Sequence, residues 1–463
     1  MIRIKKTLQK VLGLVGMCLL LGVISSQAAT LTVTTTADAG VGSLRQAIID
    51  AAINAAANNV TFNIPTTDPG YNAVNNRFTI NLLSSLPNLP SAPITIDNTQ
   101  PQGVTVMGNN TFRIFTLVDS AVVTINNLTI SNGFSSGLGG GFLMGNSSTL
   151  NLNRSTVSNN AATDGGGIYI NQSGTLNINA STVSGNSATN GGGVFNNTSG
   201  TINATSNTFD GNSATGNGGG IYNTATITFT NNTITSNTAA NGGGIYNNFT
   251  ATLTNNLVAL NTASDGNDLL GRGSLGNAFT GSTYNLVGNA DGSEGLGGAT
   301  NQSGSTINPI APLLGPLQNN GGPTFTRALL TGSPAIDKGN SPTLITDQRG
   351  QARPLDNPLI ANTGNGADIG AFEVPLAPTA ASVSISGRVI TPRNFGLTNA
   401  WVTLTDAQGN SQTIKTGKSG SFRFTDVAAG ETYIISVSAR RYTFAPQVIT
   451  VNEDIVELNF YAQ

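Results

Sequence analysis

The stretch Gly165-Gly166-Gly167-Ile168-Tyr169, then Thr175-Leu176-Asn177-Ile178, then Thr182-Val183-Ser184-Gly185-Asn186, and again Gly191-Gly192-Gly193-Val194-Phe195 decides the fold. It is one unit and the start of the next. Triplets begin at Gly139, Gly165, Gly191, Gly218 and Gly242, in steps of 26, 26, 27 and 24 residues. Two further columns keep this phase: Val157, Val183, Phe209, Ile234 and Val258, and three residues after each, Asn160, Asn186, Asn212, Asn237 and Asn261. A fixed period in this range is the signature of a solenoid.

Inside each unit the apolar residues alternate with period two, as in Thr149-Leu150-Asn151-Leu152 and Thr226-Ile227-Thr228-Phe229, which predicts short strands. Asn and Gly suit the sharp corners between them, and stacked Asn side chains can hydrogen-bond along a column. The predicted fold is all-β, a right-handed three-sided parallel β-helix with each strand pairing with its equivalent one coil away. Residues 30–373 resemble the pectin-lyase-like β-helix of bacterial surface proteins, a rod of about 12 coils.

Outward from the repeats, Gly42-Ser43-Leu44-Arg45-Gln46-Ala47-Ile48 resembles the Cys-Ser-Leu-Arg-Glu-Ala opening of secreted β-helix proteins, with Gly42 and Gln46 as substitutions. Ser43 and Gln46 form a capping-box pattern, and Leu44, Ala47, Ile48 and Ala51 share a helical face. A capping helix within residues 30–60 is expected, closing the first coil ahead of the Gly-triplet coils at 131–262.

The end of the β-helix, 263–373, carries Gly332-Ser333-Pro334-Ala335-Ile336-Asp337, Asp347-Gln348-Arg349-Gly350 and Asp368-Ile369-Gly370-Ala371-Phe372-Glu373, similar to the choice-of-anchor Q domain. That resemblance implies an exported protein with a variable C-terminal attachment part. A Pro/Ala linker at 374–382 follows, then short strands over 383–463 that predict a small antiparallel β-sandwich. Ser386-Gly387-Arg388-Val389 and Lys418-Ser419-Gly420-Ser421-Phe422 resemble the carboxypeptidase-regulatory-like, transthyretin-like fold. Trp401, the only tryptophan, is expected in that domain's core.

Residues 1–29 read as a bacterial Sec-type signal peptide, basic at Arg3, Lys5, Lys6 and Lys10 and then apolar from Val11 to Ile24. The expected location is extracellular or at the cell surface, with no transmembrane span in the mature chain. Removing those four cations takes the formal charge from −2 to about −6, which argues against nucleic acid as a partner.

The 463 residues include no histidine and only 9% charged residues, so Ser-His-Asp, Cys-His and His-zinc chemistry are excluded. From Ser131 to Thr262 the charged residues are Arg154, Asp164 and Asp210, out of phase with one another. No catalytic residue and no cofactor is therefore assigned. The alternative is a polysaccharide lyase or glycoside hydrolase, which needs three or more charged side chains converging in one groove.

The column two residues after each triplet is Leu143, Tyr169, Phe195, Tyr222 and Tyr246. Alternation turns it outward, where Tyr169, Phe195, Tyr222 and Tyr246 would form a ladder that binds polysaccharide or a surface protein, or one that only stabilises coil stacking. The charges Asp337, Lys338, Asp347, Arg349, Arg353, Asp368 and Glu373 read as an ion-pair network capping the solenoid's end. Calcium on Asp337, Asp347 and Asp368 is the alternative use. The expected function is non-catalytic adhesion, surface structure or carbohydrate binding.

Overall fold

The computed structural model describes residues 28–54, 56–272, 278–375, 382–406, 409–451 and 453–463. The signal-peptide expectation up to residue 27 and most of the linker lie outside them. The chain divides into two units after Val374.

The first unit is a parallel β-solenoid. Its strands fall into three long sheets of nine, seven and eleven strands, in which neighbours come from successive coils except for the antiparallel pair Tyr71–Asn72 and Arg77–Asn81 at one edge of the largest sheet. One coil runs from Phe142–Met144 in the seven-stranded sheet to Thr149–Asn153 in the nine-stranded sheet and Thr156–Ser158 in the eleven-stranded sheet. Ile168–Ile170 then restarts the cycle directly beside Phe142–Met144. About ten turns form, fewer than expected, because regular coils stop near Ser303.

The interior is built as the period-two pattern requires. Val157, Val183, Phe209, Ile234 and Val258 are fully buried, as are Ile168, Val194, Ile221 and Ile245. The first glycine of a triplet is required where the corner turns left-handed. Gly191 has φ +62°, and a Cβ there would lie 2.6 Å from the Val194 carbonyl oxygen. Gly193 has a different reason, since its Cβ would stand 2.5 Å from the Gly220 oxygen and 3.2 Å from the Asn212 side chain. The coils approach too closely there for any side chain.

The fully buried Asn column is the polar counterpart of that core. Asn186 Nδ2 donates to Asn212 Oδ1 and Asn212 Nδ2 to Asn237 Oδ1, each at 2.9 Å, while each Nδ2 also donates to a carbonyl of the preceding coil. The backbone N–H of each residue donates to the same Oδ1 as its own amide. A second column does likewise, Ser181, Asn207, Asn232, Asn256, Asn285 and Asn301 at the corner between the nine- and eleven-stranded sheets, and a third, Asn196, Asn223 and Asn247 at the end of the seven-stranded sheet's strands, is linked by side-chain amides alone.

The single helix among the described residues, α1 (Leu44–Ile53), packs Leu44, Ala47, Ile48 and Ala51 into the core beside Val33 and Val60, as expected of a cap. Ser43 Oγ accepts from the Gln46 N–H at 3.1 Å. The other half of the capping box is absent, because Gln46 Nε2 turns along the helix to Asp50 Oδ1 at 2.8 Å.

Residues 313–374 depart from the expectation of an end cap. They run back along the outer face of the eleven-stranded sheet and dock on it by side chains. Asn255 Nδ2 donates to the Asp368 carbonyl, Thr208 Oγ1 donates to Gln348 Oε1, and Gln348 Nε2 donates to Thr182 Oγ1. Asp210, isolated in its coil, pairs with Arg327 at 2.5 Å. Leu329, Ile336, Ile369 and Phe372 pack on Leu257 and Leu286 in a small separate core.

In the second unit a three-stranded sheet, ordered Ser421–Ala428, Ser382–Ile390, Ile455–Tyr461, and a four-stranded antiparallel sheet share one core around Ile385, Val402, Phe424 and Ile435. Pairing is antiparallel except that Ser382–Ile390 runs parallel to Ile455–Tyr461. Trp401 corrects the sequence reading. Val402 and Leu404 point inward, so alternation turns Trp401 out, 47% exposed under the Lys415 ammonium at 4.2 Å.

Asn212→Ala removes the acceptor of two buried N–H groups of Asn186, so it is expected to destabilise the solenoid by about 3 kcal/mol in urea unfolding. An unchanged midpoint refutes the ladder's role. The second unit has its own core, so residues 382–463 expressed alone are expected to unfold cooperatively, with Trp401 emission already red-shifted in the native state. Non-cooperative unfolding of that fragment refutes its autonomy.

Candidate functional site

The aromatic column is the candidate binding surface, and the register places one of its residues on each coil. Leu143 pairs with Tyr169, Tyr169 with Phe195, Phe195 with Tyr222 and Tyr222 with Tyr246. Ring centroids are 4.9, 4.7 and 5.2 Å apart in that order, so one ring stands on each coil. The Tyr169 and Phe195 rings are stacked nearly parallel at 21°, while the next two pairs are tilted by 52° and 35°. The surface is therefore ribbed rather than flat.

Exposure divides the column. Phe195, Tyr222 and Tyr246 are half-buried, but Tyr169 is only 7% exposed and contributes mainly to stacking. Among the described residues, no protein group hydrogen-bonds the hydroxyls of Tyr222 or Tyr246. Burial holds the Tyr222 hydroxyl above its ordinary pKa, with Tyr246 and Asp164 adding to the shift, so it remains a neutral donor.

A second column belongs to the same turns. The residue before each of the last four triplets is Asp164, Asn190, Asn217 or Asn241; Asn190 Nδ2 donates to Asp164 Oδ1 at 2.9 Å and Asn241 Nδ2 to Asn217 Oδ1 at 2.9 Å. Sequence reasoning did not connect these residues with the rings, although their fixed place five residues before each ring was visible. Ring faces with neighbouring amides supply apolar contact and oriented hydrogen bonds, the combination a sugar or a polar protein surface uses.

The acidic cluster is brought together, but as a set of backbone clamps. Asp347 accepts from the N–H groups of Arg349, Gln351 and Glu373, and pairs with the Arg349 guanidinium at 2.7 Å. Asp368 accepts from the N–H groups of Asp337 and Val374, and Glu373 accepts from those of Leu355 and Asp368 and from Arg353 Nε at 2.7 Å. The Arg349 guanidinium lies 3.6 Å over the Phe372 ring. Asp337 Oδ1 accepts from Asn357, whereas its buried Oδ2 has no partner. Among the described residues no three acidic side chains are grouped to hold a metal ion. The network flanks the eleven-stranded sheet instead of closing its last coil.

Arg154, Asp347 and Arg349 line one cleft of about 420 Å³. Asp347 and Arg349 neutralise each other there, and Asp164 and Asp210 are engaged elsewhere.

The second unit carries a similarity to a known family. Residues 384–462 match the family model of the carboxypeptidase regulatory-like domain. The match spans that unit's strands and, Val383 apart, its core. No curated protein matches the chain. A parallel β-solenoid joined to such a domain fits an extracellular or surface protein, and no described helix is long and apolar enough to cross a membrane.

Burial, reinforced by Glu373, pushes the Asp368 carboxyl up to about 7. The folded state therefore holds this proton more tightly than the unfolded chain, whose carboxyl titrates near 4. Its stabilising effect is complete below about pH 4 and fades as pH rises to about 7. Thermal unfolding of the wild type is expected to show this decline, and Asp368→Asn to flatten it. An equal slope in the variant contradicts the assignment.

Proposed function

We propose that this is an exported, non-catalytic surface protein in which the solenoid is a structural rod and its aromatic column binds carbohydrate. The observation that carries the reading is the run Phe195, Tyr222 and Tyr246, three half-buried rings one coil apart with free tyrosine hydroxyls on an otherwise polar face. A ladder serving stacking alone has no need of hydroxyls at its exposed edge. The regulatory-like domain supports the same reading, since it adds a second folded unit suited to spacing or attachment. Adhesion through a protein partner uses the same surface and is the competing outcome.

The test is a glycan array probed with the chain and with Tyr222→Ala and Phe195→Ala, alongside a reducing-sugar release assay. Loss of one stacking ring is expected to weaken glycan binding about tenfold. No reducing ends are expected to accumulate. Glycan binding that survives both substitutions removes the column from the site, and steady release of reducing sugar replaces the reading with an enzyme.

A further inference from the structure

The aromatic column lies on the seven-stranded sheet and the docked segment on the eleven-stranded one, which leaves the outer face of the nine-stranded sheet. Its strands Val122–Asn126, Thr149–Asn153, Thr175–Asn179, Thr201–Thr205, Thr226–Thr230 and Thr250–Thr254 pair in parallel with no shift of register. Leu150, Leu176, Ile202, Ile227 and Ala251 are buried, so alternation turns the residues on either side of them outward. One outward column is Thr149, Thr175, Thr201, Thr226 and Thr250, and the next is Thr124, Asn151, Asn177, Asn203, Thr228 and Thr252. Every member of both columns is exposed or half-buried, and none is fully buried.

The two columns are held in different ways. In the second, Asn151 Nδ2 donates to Thr124 Oγ1 at 3.2 Å, Asn177 Nδ2 to Asn151 Oδ1 at 2.8 Å and Asn203 Nδ2 to Asn177 Oδ1 at 2.9 Å, so each amide is oriented by its neighbour. In the first, the five threonine hydroxyls have no hydrogen-bond partner among the described residues, and neither do those of Thr228 and Thr252. Threonine is stiff at χ1, so its methyl and hydroxyl keep their places unaided. The docked segment borders the third outward column, lining one cleft with Asn153, Asn179 and Thr205, and among the described residues no hydrogen bond from it reaches the first two.

Together they make a two-dimensional grid, repeating at about 4.8 Å from coil to coil and about 6.6 Å between alternate residues of a strand. Neither column contains a charged or an aromatic residue. A small soluble molecule can engage one or two cells of such a grid. The whole of it is matched only by a ligand that is itself periodic in two dimensions, which means a crystal face. An ionic mineral calls for carboxylates or cations, and a crystalline polysaccharide for flat rings to stack on its sugars. Ice calls for neither. It is uncharged, each of its oxygens donates and accepts, and on a prism face those oxygens repeat at two distances close to the two of the grid. A threonine hydroxyl also donates and accepts, and the methyl beside it restricts the water it touches. We propose that the outer face of the nine-stranded sheet binds the surface of ice. Each contact is weak, and attachment comes from engaging many cells at once. The site lies on a different sheet from the aromatic column and stands independently of the carbohydrate reading.

Partition of the fluorescently labelled full chain into a slowly growing ice hemisphere, together with inhibition of ice recrystallisation, tests the proposal. The chain is expected to enter the ice and to hold crystal size constant. Thr175→Tyr and Thr201→Tyr each set a bulky ring inside the grid and are expected to raise the concentration needed to stop recrystallisation about tenfold. Both positions face outward and tyrosine suits a strand, so the melting temperature of each variant is expected to stay in place. Tyr222→Ala, on the other sheet, is expected to leave ice binding unchanged. Exclusion of the wild-type chain from growing ice overturns the proposal, as does full activity in both tyrosine variants. Equal loss in Tyr222→Ala moves the activity off this face and refutes the assignment. Adsorption to microcrystalline cellulose or chitin that the tyrosine variants lose, with no entry into ice, gives the face to a crystalline polysaccharide instead.

Discussion

The buried amide columns are the constraint on which the solenoid depends. A parallel coil brings backbone groups into its corners, where strand pairing no longer satisfies them, and a dry interior penalises every one left unmet. Each ladder Asn answers with a single side chain: Oδ1 accepts from the neighbouring coil's N–H and amide, and Nδ2 donates onward and to a carbonyl. The corner is thus fixed in height as well as direction, and the triplet glycines follow from it, because Gly193 passes the Asn212 side chain with no space for a Cβ. The aromatic column inherits its one-ring-per-coil spacing from the same stacking.

The docked segment 313–374 solves a different difficulty. The outer face of the eleven-stranded sheet offers Thr182, Thr208, Asp210 and Thr233, polar residues that water could satisfy unaided. Gln348, Arg327 and the Ala371 N–H engage them individually, and Leu257 and Leu286 supply the apolar area that holds the segment down. The acidic residues of the segment then hold its own irregular backbone together. Their role as clamps follows from the absence of regular pairing there, where N–H groups need side-chain acceptors.

The coils were legible because their determinants are periodic. Val157 and Ile168 announce their burial by recurrence, and so does the column of Asn160. The second amide column was obscured because it begins as Ser155 and Ser181 and turns to asparagine only at Asn207, so identity changes while register does not. The course of residues 313–374 was not legible, since Gln348 meets Thr208 across 140 residues through a contact with no repeating signature. Trp401 was misplaced by giving its size more weight than the phase set by Val402 and Leu404.

The main ladder closes on Asp268, whose Oδ1 accepts from the N–H and Nδ2 of Asn261 and whose Oδ2 accepts from the Asn289 N–H. Every amide in the column donates toward higher residue numbers, so the column has a direction, and an aspartate receives the last proton without needing to pass one on. All links between Asn160 and Asn261 are interchangeable. As far as the ladder is concerned, a whole coil added to or removed from this span leaves the terminator with a donor before it. The ladder by itself therefore admits change in steps of one coil, and the docked segment 313–374, seated on Thr182, Thr208, Asp210 and Thr233, is what ties the number of coils to the end of the solenoid.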